Sequence, residues 1–313
     1  MTGRVVGWLI AALLILSLGA GLAVFIQRRD RPLPLPPGVS GTLVFVSDRQ
    51  GVDALYARRL PGGEDRLLVS LAGPVGQPAL SLDGRLVAFS SAGRIGIVTL
   101  ATGKLRIATP GAEWLDGSPC WSPDGKAFVV SARRRDQTRT DVHLIRLREG
   151  SEPERQILTH TAGLDETNPV VSPDGSFVVF EREEGLVRFD LEDSRSRRLT
   201  TGFRKLHWPR FLPSGRVLCL WSAGKQYGIE VMDADGKNRE TLSEGSVSYR
   251  TLSPSPDGRF LAATFAFDLS FHPLDALKLR QTEEVRLLDA RGAPLAVLAR
   301  SWRDSNHSPT WGP

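Results

Sequence analysis

The sequence predicts an all-β fold: a six-bladed β-propeller of four-stranded antiparallel blades, preceded by one N-terminal transmembrane helix. Three observations carry the prediction. One phrase recurs six times with a period in the 40–50 residue range, and self-similarity of that period marks a repeat architecture before any single residue is interpreted. Each complete copy is followed by a short apolar run of strand length. Val5 to Ile26 contains no charged residue.

The copies read Pro78-Ala79-Leu80-Ser81-Leu82-Asp83-Gly84, Pro119-Cys120-Trp121-Ser122-Pro123-Asp124-Gly125 and Pro169-Val170-Val171-Ser172-Pro173-Asp174-Gly175. Then come Pro209-Arg210-Phe211-Leu212-Pro213-Ser214-Gly215, Leu252-Ser253-Pro254-Ser255-Pro256-Asp257-Gly258 and the shortened Pro309-Thr310-Trp311-Gly312-Pro313. Pro presets φ for the turn, Asp bonds its own backbone and Gly closes it. The runs that follow, such as Leu86-Val87-Ala88-Phe89 and Phe177-Val178-Val179-Phe180, are rich in β-branched and aromatic residues, the mark of a strand buried on both faces. A third segment alternates, as in Asp141-Val142-His143-Leu144-Ile145-Arg146-Leu147 and Tyr227-Gly228-Ile229-Glu230-Val231-Met232-Asp233, which suggests a strand with one wetter face. After a Gly-containing turn, a polar fourth segment such as Arg197-Arg198-Leu199-Thr200 suits an outer edge, where charge discourages edge-to-edge pairing.

Four antiparallel strands repeated in step make a propeller. A β-sandwich is the other architecture for such strands, but it requires no phrase in step. The first unit, Gly41-Thr42-Leu43-Val44-Phe45-Val46, begins at its second strand, and the last copy has no strand after it. Residues 306–313 are therefore expected to supply the innermost strand of the first blade and close the ring.

At Pro119 to Lys126 the phrase resembles the WD40-like (PD40) propeller repeat of TolB-type proteins, a resemblance that covers residues 41–313. It implies a six-bladed propeller, usually in the bacterial cell envelope and often a protein-interaction platform. The TolB protein carries an additional α/β domain before its propeller, for which residues 1–40 leave no room, so a specific Tol–Pal role is not implied. Related propellers precede the hydrolase domain of prolyl oligopeptidase-like enzymes, but the chain has no Gly-x-Ser-x-Gly nucleophile elbow.

The expected domains are an anchor with flanking charges at 1–31, a Pro-rich linker at 32–40 and the propeller at 41–313. The uncharged stretch is long enough to span a bilayer, and Gly21-Leu22-Ala23 is a poor cleavage site, so an uncleaved single-pass anchor is expected. Arg28, Arg29 and Arg31 follow it and only Arg4 precedes it, which taken alone favours a cytoplasmic propeller. The family resemblance points to the extracytoplasmic side, periplasm or cell surface, which is the expectation adopted. Alternating prolines in Arg31-Pro32-Leu33-Pro34-Leu35-Pro36-Pro37 make a semi-rigid spacer.

The net charge is +5, but residues 1–31 hold four Arg and one Asp, which leaves about +2 for the propeller and argues against a nucleic-acid partner. The basic stretch Arg133 to Arg139 falls between two strands of one blade and reads as a solvated loop. Cys120 and Cys219 sit two blade positions apart, so free thiols are expected, and their spacing suggests no metal site. No cofactor is expected.

The segments just before each phrase should converge at the mouth of the central channel. They carry acids (Asp116, Asp165, Glu166), bases (Arg204, Lys205, Arg250), rings (Trp114, Trp208, Tyr249, Trp302) and the histidines His207 and His307. Such a rim suits a peptide segment or small ligand, or else satisfies backbone groups and caps the channel. His207 and His307 near Asp116 or Glu166 would be the elements of a catalytic site, yet no tight ligand spacing such as His-x-x-x-His supports one. The last blade carries a long insertion whose Phe267, Phe271, Leu274 and Leu277 recur near helical period, with His272 among them, and it is either a partner-docking element or a packed loop. The function that fits best is a membrane-anchored, non-enzymatic scaffold with an envelope protein partner. The alternatives are an enzyme or receptor for envelope peptides or saccharides, or a sensory module of a signalling complex.

Overall fold

A computed structural model of the chain describes residues 34–313, apart from 110, 149, 184, 201, 247, 267–282 and 300–305. The described residues form six separate sheets of four antiparallel strands, one per blade. Blade 1 consists of β1 (Gly41–Ser47), β2 (Ala54–Leu60) and β3 (Arg66–Ser70), with β24 (Asn306–Gly312) as its innermost strand. Blade 2 is β4 (Val75–Leu80), β5 (Leu86–Ser91), β6 (Arg94–Thr99) and β7 (Leu105–Ile107), and blade 3 is β8 (Trp114–Trp121), β9 (Ala127–Arg134), β10 (Asp141–Arg146) and β11 (Glu154–Ile157). Blade 4 is β12 (Glu166–Val171), β13 (Phe177–Arg182), β14 (Gly185–Asp190) and β15 (Arg195–Arg198). Blade 5 is β16 (Lys205–Phe211), β17 (Val217–Ala223), β18 (Gln226–Met232) and β19 (Glu240–Gly245), and blade 6 is β20 (Tyr249–Pro254), β21 (Phe260–Ala266), β22 (Glu283–Asp289) and β23 (Pro294–Ala299). The expected anchor lies outside the described residues, as do Phe267, Phe271, His272, Leu274, Leu277 and Trp302. Among the described residues no helix is long and apolar enough to cross a membrane.

The phrase builds its turn as its chemistry dictates. In the copies at Ser81, Ser122, Ser172 and Ser255 the Ser hydroxyl donates to the Asp carboxylate at 2.6 Å. The same Ser Oγ accepts the amide of the first residue of the next strand, and the Asp accepts the amide two residues on. Gly closes the turn at φ of 67–76° in these copies, where a Cβ would be strained.

Before the turn, each of five inner strands breaks register at an X-Pro step. Gln77-Pro78 opposes Phe89 alone, Ser118-Pro119 opposes Val130, and the same two-against-one bulge recurs at Asn168-Pro169, Trp208-Pro209 and Ser308-Pro309. All five residues before proline hold φ of 48–55°. Proline has no amide to give a ladder, so the bulge is where a strand can accept it.

The apolar runs fill the spaces between blades. Alternate side chains of one strand face opposite neighbours: Val44 and Val46 pack with blade 2, whereas Leu43 and Phe45 pack with blade 6. Six such clusters follow one another round the ring, each shared by two adjacent blades. The third strands depart from the expected wetter face. His143 and Glu230 are buried along with their apolar neighbours, because arginines cover them. His143 meets Arg155, while Glu230 meets Arg204 and Arg239. The fourth strands β7 and β15 are exposed along their whole length, as expected, whereas β23 buries Ala296, Leu298 and Ala299.

Strand β24 pairs with β1 from Thr42↔Gly312 to Ser47↔Asn306. Gly41 permits this approach: at φ 109° a Cβ there would fall 2.4 Å from the Gly312 carbonyl oxygen. Trp311 fastens the closure, donating from Nε1 to the Ser40 carbonyl at 2.9 Å and stacking on Phe260 of blade 6.

Two outcomes follow. Trp311→Ala should lower the unfolding free energy by about 3–5 kcal/mol, the usual range for emptying a buried aromatic site, measured by denaturant titration. The Ser hydroxyls hold Asp83, Asp124, Asp174 and Asp257 below the ordinary carboxylate range, Asp174 at about 2. A carboxyl with a depressed folded pKa stabilises above its unfolded pKa and loses that contribution as pH falls through the folded one. Thermal stability should therefore drop between about pH 4 and 2, and Ser172→Ala should shrink that drop in a melting series against pH.

Candidate functional site

The inner strands of all six blades surround a cavity of about 320 Å³ on the turn side of the ring. Its wall repeats one register position. Ala79, Cys120, Val170, Arg210, Ser253 and Thr310 each stand at the second place of the phrase, and each lines the cavity. Arg210 is the one charged residue in that lining. Its Nη1 donates to the Pro209 carbonyl at 2.8 Å, and its guanidinium lies 4.8 Å from the Trp208 ring centroid. Burial pushes its pKa down, while Cys120 and Glu181 work the other way. Burial pushes the Cys120 thiol up, and both cysteines are free thiols.

Above this ring, the bulges are tied blade to blade. Leu80 N donates to Thr310 Oγ1 at 3.3 Å, Ser118 N to Gln77 Oε1 at 2.7 Å, and Ser118 Oγ to Asn168 Oδ1 at 3.2 Å. Trp208 N donates to Glu181 Oε1 at 2.6 Å and its Nε1 to the Leu252 carbonyl at 3.2 Å, and Ser308 N donates to Thr264 Oγ1 at 2.9 Å. Together these join every adjacent pair of blades in one circuit.

The residues expected at the rim divide three ways. Asp116 and Glu166 are interior groups. Asp116 forms a two-pronged pair with Arg155 at 2.8 and 2.9 Å, beside buried His143 and the edge of Trp114. Desolvation, with Arg155 adjacent, drives the His143 pKa to about 3, so its imidazole is neutral at physiological pH. Glu166, with no exposed surface, takes two bonds from Arg182 at 2.6 and 2.9 Å and one from Thr159.

Arg204, Asp165, Tyr249 and Arg250 brace their own surroundings. Arg204 pairs with Glu230 at 3.0 Å over the Trp221 ring, Asp165 with Arg139 at 2.6 Å, and Arg250 with Glu283 at 3.0 Å. Tyr249 packs by Phe265, and burial raises its pKa against a hydrogen bond with Arg286. His207, Trp208 and His307 stay on the inner strands, half-buried. His207 Nδ1 lies 3.4 Å from Glu181, and His307 Nδ1 lies 3.0 Å from Ser308 Oγ. The two histidines are not joined to Asp116, whose oxygens go to Arg155, or to Glu166, whose oxygens go to Arg182 and Thr159. Among the described residues no three His, Cys, Asp or Glu side chains gather closely enough to hold a metal ion.

Sequence reasoning passed over Arg210, Arg155 and Arg182. A signal for Arg210 was present: a charge at a phrase position otherwise filled by Ala, Cys, Val, Ser or Thr. Nothing in the local sequence marks Arg155 or Arg182, because their partners sit on other strands of the same blade, 39 and 16 residues away.

A family model for the TolB beta propeller domain matches residues 65–269, well over half the chain. The chain belongs to the TolB β-propeller family. The TolB relatives include the "Tol-Pal system protein TolB" of Francisella tularensis subsp. mediasiatica, 25% identical over 251 residues, which cover 74% of this chain and 55% of the relative. This TolB-like chain thus spans about half the length of the curated relatives it matches. Among solved structures it resembles TolB from Acinetobacter baumannii, with a TM-score of 0.73 and 19% identity over 89% of this chain and 68% of that one. An oligogalacturonate lyase in complex with manganese has a TM-score of 0.57 and 16% identity, over 82% of this chain and 73% of that one. At these identities the structural likeness is one of fold.

The interior pairs have a measurable weight. Arg182→Met would leave Glu166 buried without its cation and should cost about 3–5 kcal/mol in denaturant unfolding. Adding Glu166→Leu to the same chain should recover most of the loss.

Proposed function

We propose that the chain is a membrane-anchored, non-catalytic docking platform of the bacterial cell envelope, with residues 1–31 as anchor, 32–40 as spacer and the propeller on the extracytoplasmic side. One observation carries the reading: of the acids expected at the rim, Asp116 and Glu166 are consumed inside the protein, and Asp165 is held by Arg139 at the surface. Asp116, Glu166 and Glu230 each meet an arginine and are buried. What faces outward is a stiff ring with uneven loops, and variable loops on a rigid scaffold are where binding commonly sits. Membership of the TolB propeller family, with relatives that carry the Tol–Pal name, supports an envelope setting. The lyase likeness supplies a fold and no catalytic residue.

The partner contact belongs to the loops opposite the phrase turns, including the insertion around Phe267, Phe271, His272 and Leu274. Cross-linking of the full chain in membranes, followed by purification, should recover a defined envelope protein, and deletion of residues 268–280 should reduce that recovery. Unchanged recovery removes the insertion from the contact, and no partner at all defeats the platform reading. Protease added to spheroplasts should digest the propeller without lysis. Survival until lysis places it on the other side.

A further inference from the structure

We propose that the central channel is an anion receptor, which takes one carboxylate on a short apolar stem with Arg210 as the cation that meets it. The first ground is that, among the described residues, Arg210 has no anionic partner. Arg155, Arg182, Arg204, Arg239 and Arg286 each meet a buried carboxylate. Arg210 has a single backbone carbonyl and the Trp208 ring. Glu181, the nearest acid to influence it, has Oε1 taken by Asn168 Nδ2 and Trp208 N. Arg210 is half-buried, and a cation partly withdrawn from water is stabilised by a counter-charge.

The second ground is that the groups around Arg210 are set to donate. Ser253 Oγ accepts Trp311 N at 2.9 Å, and Thr310 Oγ1 accepts Leu80 N at 3.3 Å. Each hydroxyl thereby spends one of its two acceptor sites on the backbone, and its O–H can turn to a ligand. Both line the same cavity as Arg210. The third ground is shape. A volume of about 320 Å³ is at the small end for ligand pockets, enough for one side-chain-sized group. Much of the rest of the wall is apolar, including Pro78, Pro119, Val170, Phe211 and Pro254, with Ser122, Ser172 and Ser255 interspersed.

One positive charge balances a monoanion, whereas a phosphate dianion would leave charge uncompensated in a partly dry site. At the entrance, the turn acids Asp83, Asp124 and Asp257 each have a base two residues on, Arg85, Lys126 and Arg259. Asp174 has none, so of these turn charges one acid is left over against the charge of Arg210 inside. The carboxylate would come from a chain terminus or acidic side chain of a protein, or from a free small acid. The inference does not depend on the docking proposal, which concerns the opposite face.

Calorimetry on the full chain in detergent tests it with four probes: butyrate, a short acetylated peptide with a free C-terminus, the same peptide as its amide, and inorganic phosphate. The expected result is binding of butyrate or the free peptide, at least tenfold weaker binding of the amide, and at least tenfold loss in Arg210→Met with partial retention in Arg210→Lys. Tighter binding of the free peptide than of butyrate points to a protein source, and equal binding to a free acid. Either supports the site. Because Arg210→Met also removes a contact to Trp208, a second reading uses the unaltered chain: bound carboxylate should slow modification of Cys120 by a neutral maleimide. Equal binding of acid and amide, preference for phosphate, undiminished binding by Arg210→Met, or no binding and no protection of Cys120 would each overturn the proposal. Partner recovery by cross-linking with Arg210→Met separates the two ideas, since the docking face should be unaffected.

Discussion

The X-Pro bulge on the inner strand is the constraint on which the rest of this structure depends. A propeller must bring six strands close to one axis while each still pairs with its own blade. The bulge inserts two residues against one, which bends the strand, and turns the amide of the residue before proline away from its own ladder. At Ser118, Trp208 and Ser308 that amide reaches an acceptor on the preceding blade, namely Gln77, Glu181 and Thr264. A left-handed conformation at a non-glycine residue costs on the order of 1–3 kcal/mol. Here it recurs at five positions, held by inter-blade bonds and by the apolar clusters outside them. Blade 6 shows what happens without the proline. Thr251 takes the equivalent place with ordinary φ, the irregularity moves to Arg250, and Thr251 bonds Thr264 within the blade.

A second layer of order comes from arginine. Within single blades, carboxylates on inner and third strands are met by arginines from elsewhere in the same blade, as in Asp116–Arg155 and Glu230 with Arg204 and Arg239. Several of these arginines also lie over an aromatic ring, Arg204 over Trp221 at 3.9 Å and Arg188 over Phe177 at 3.6 Å. A planar guanidinium suits both contacts at once. Such pairs add little net stability compared with apolar packing. They sit at different places in different blades, so the six blades are not chemically alike.

The fold was legible in the sequence because its signals are local. Ser, Pro, Asp and Gly in a row make a turn wherever they occur, and a run such as Phe177 to Phe180 is a buried strand in any sheet. The third strands were misread because Glu230 and His143 look like the wet face of an alternating strand. Their burial depends on Arg204, Arg239 and Arg155, which lie 26, 9 and 12 residues away. The candidate site was legible only in part for the same reason. Aligning the phrase brought Trp208, His207 and His307 to the inner strands, but it also placed Asp116 and Glu166 at a rim, when their side chains turn inward to arginines.

By itself the sequence determined the number of blades, the strands within them and the turns, since period, alternation and turn chemistry are properties of short segments. It also carried Arg210 at a register position otherwise occupied by small or apolar residues. Only the tertiary structure decided which charges are left over once the ring is closed. Pairing of buried ions depends on distances between strands far apart in the chain, and those distances exist only after β24 has joined β1. With the ring complete, Asp116 and Glu166 are taken by other groups, and among the described residues Arg210 is the one charge that lines the cavity, with no acid paired to it.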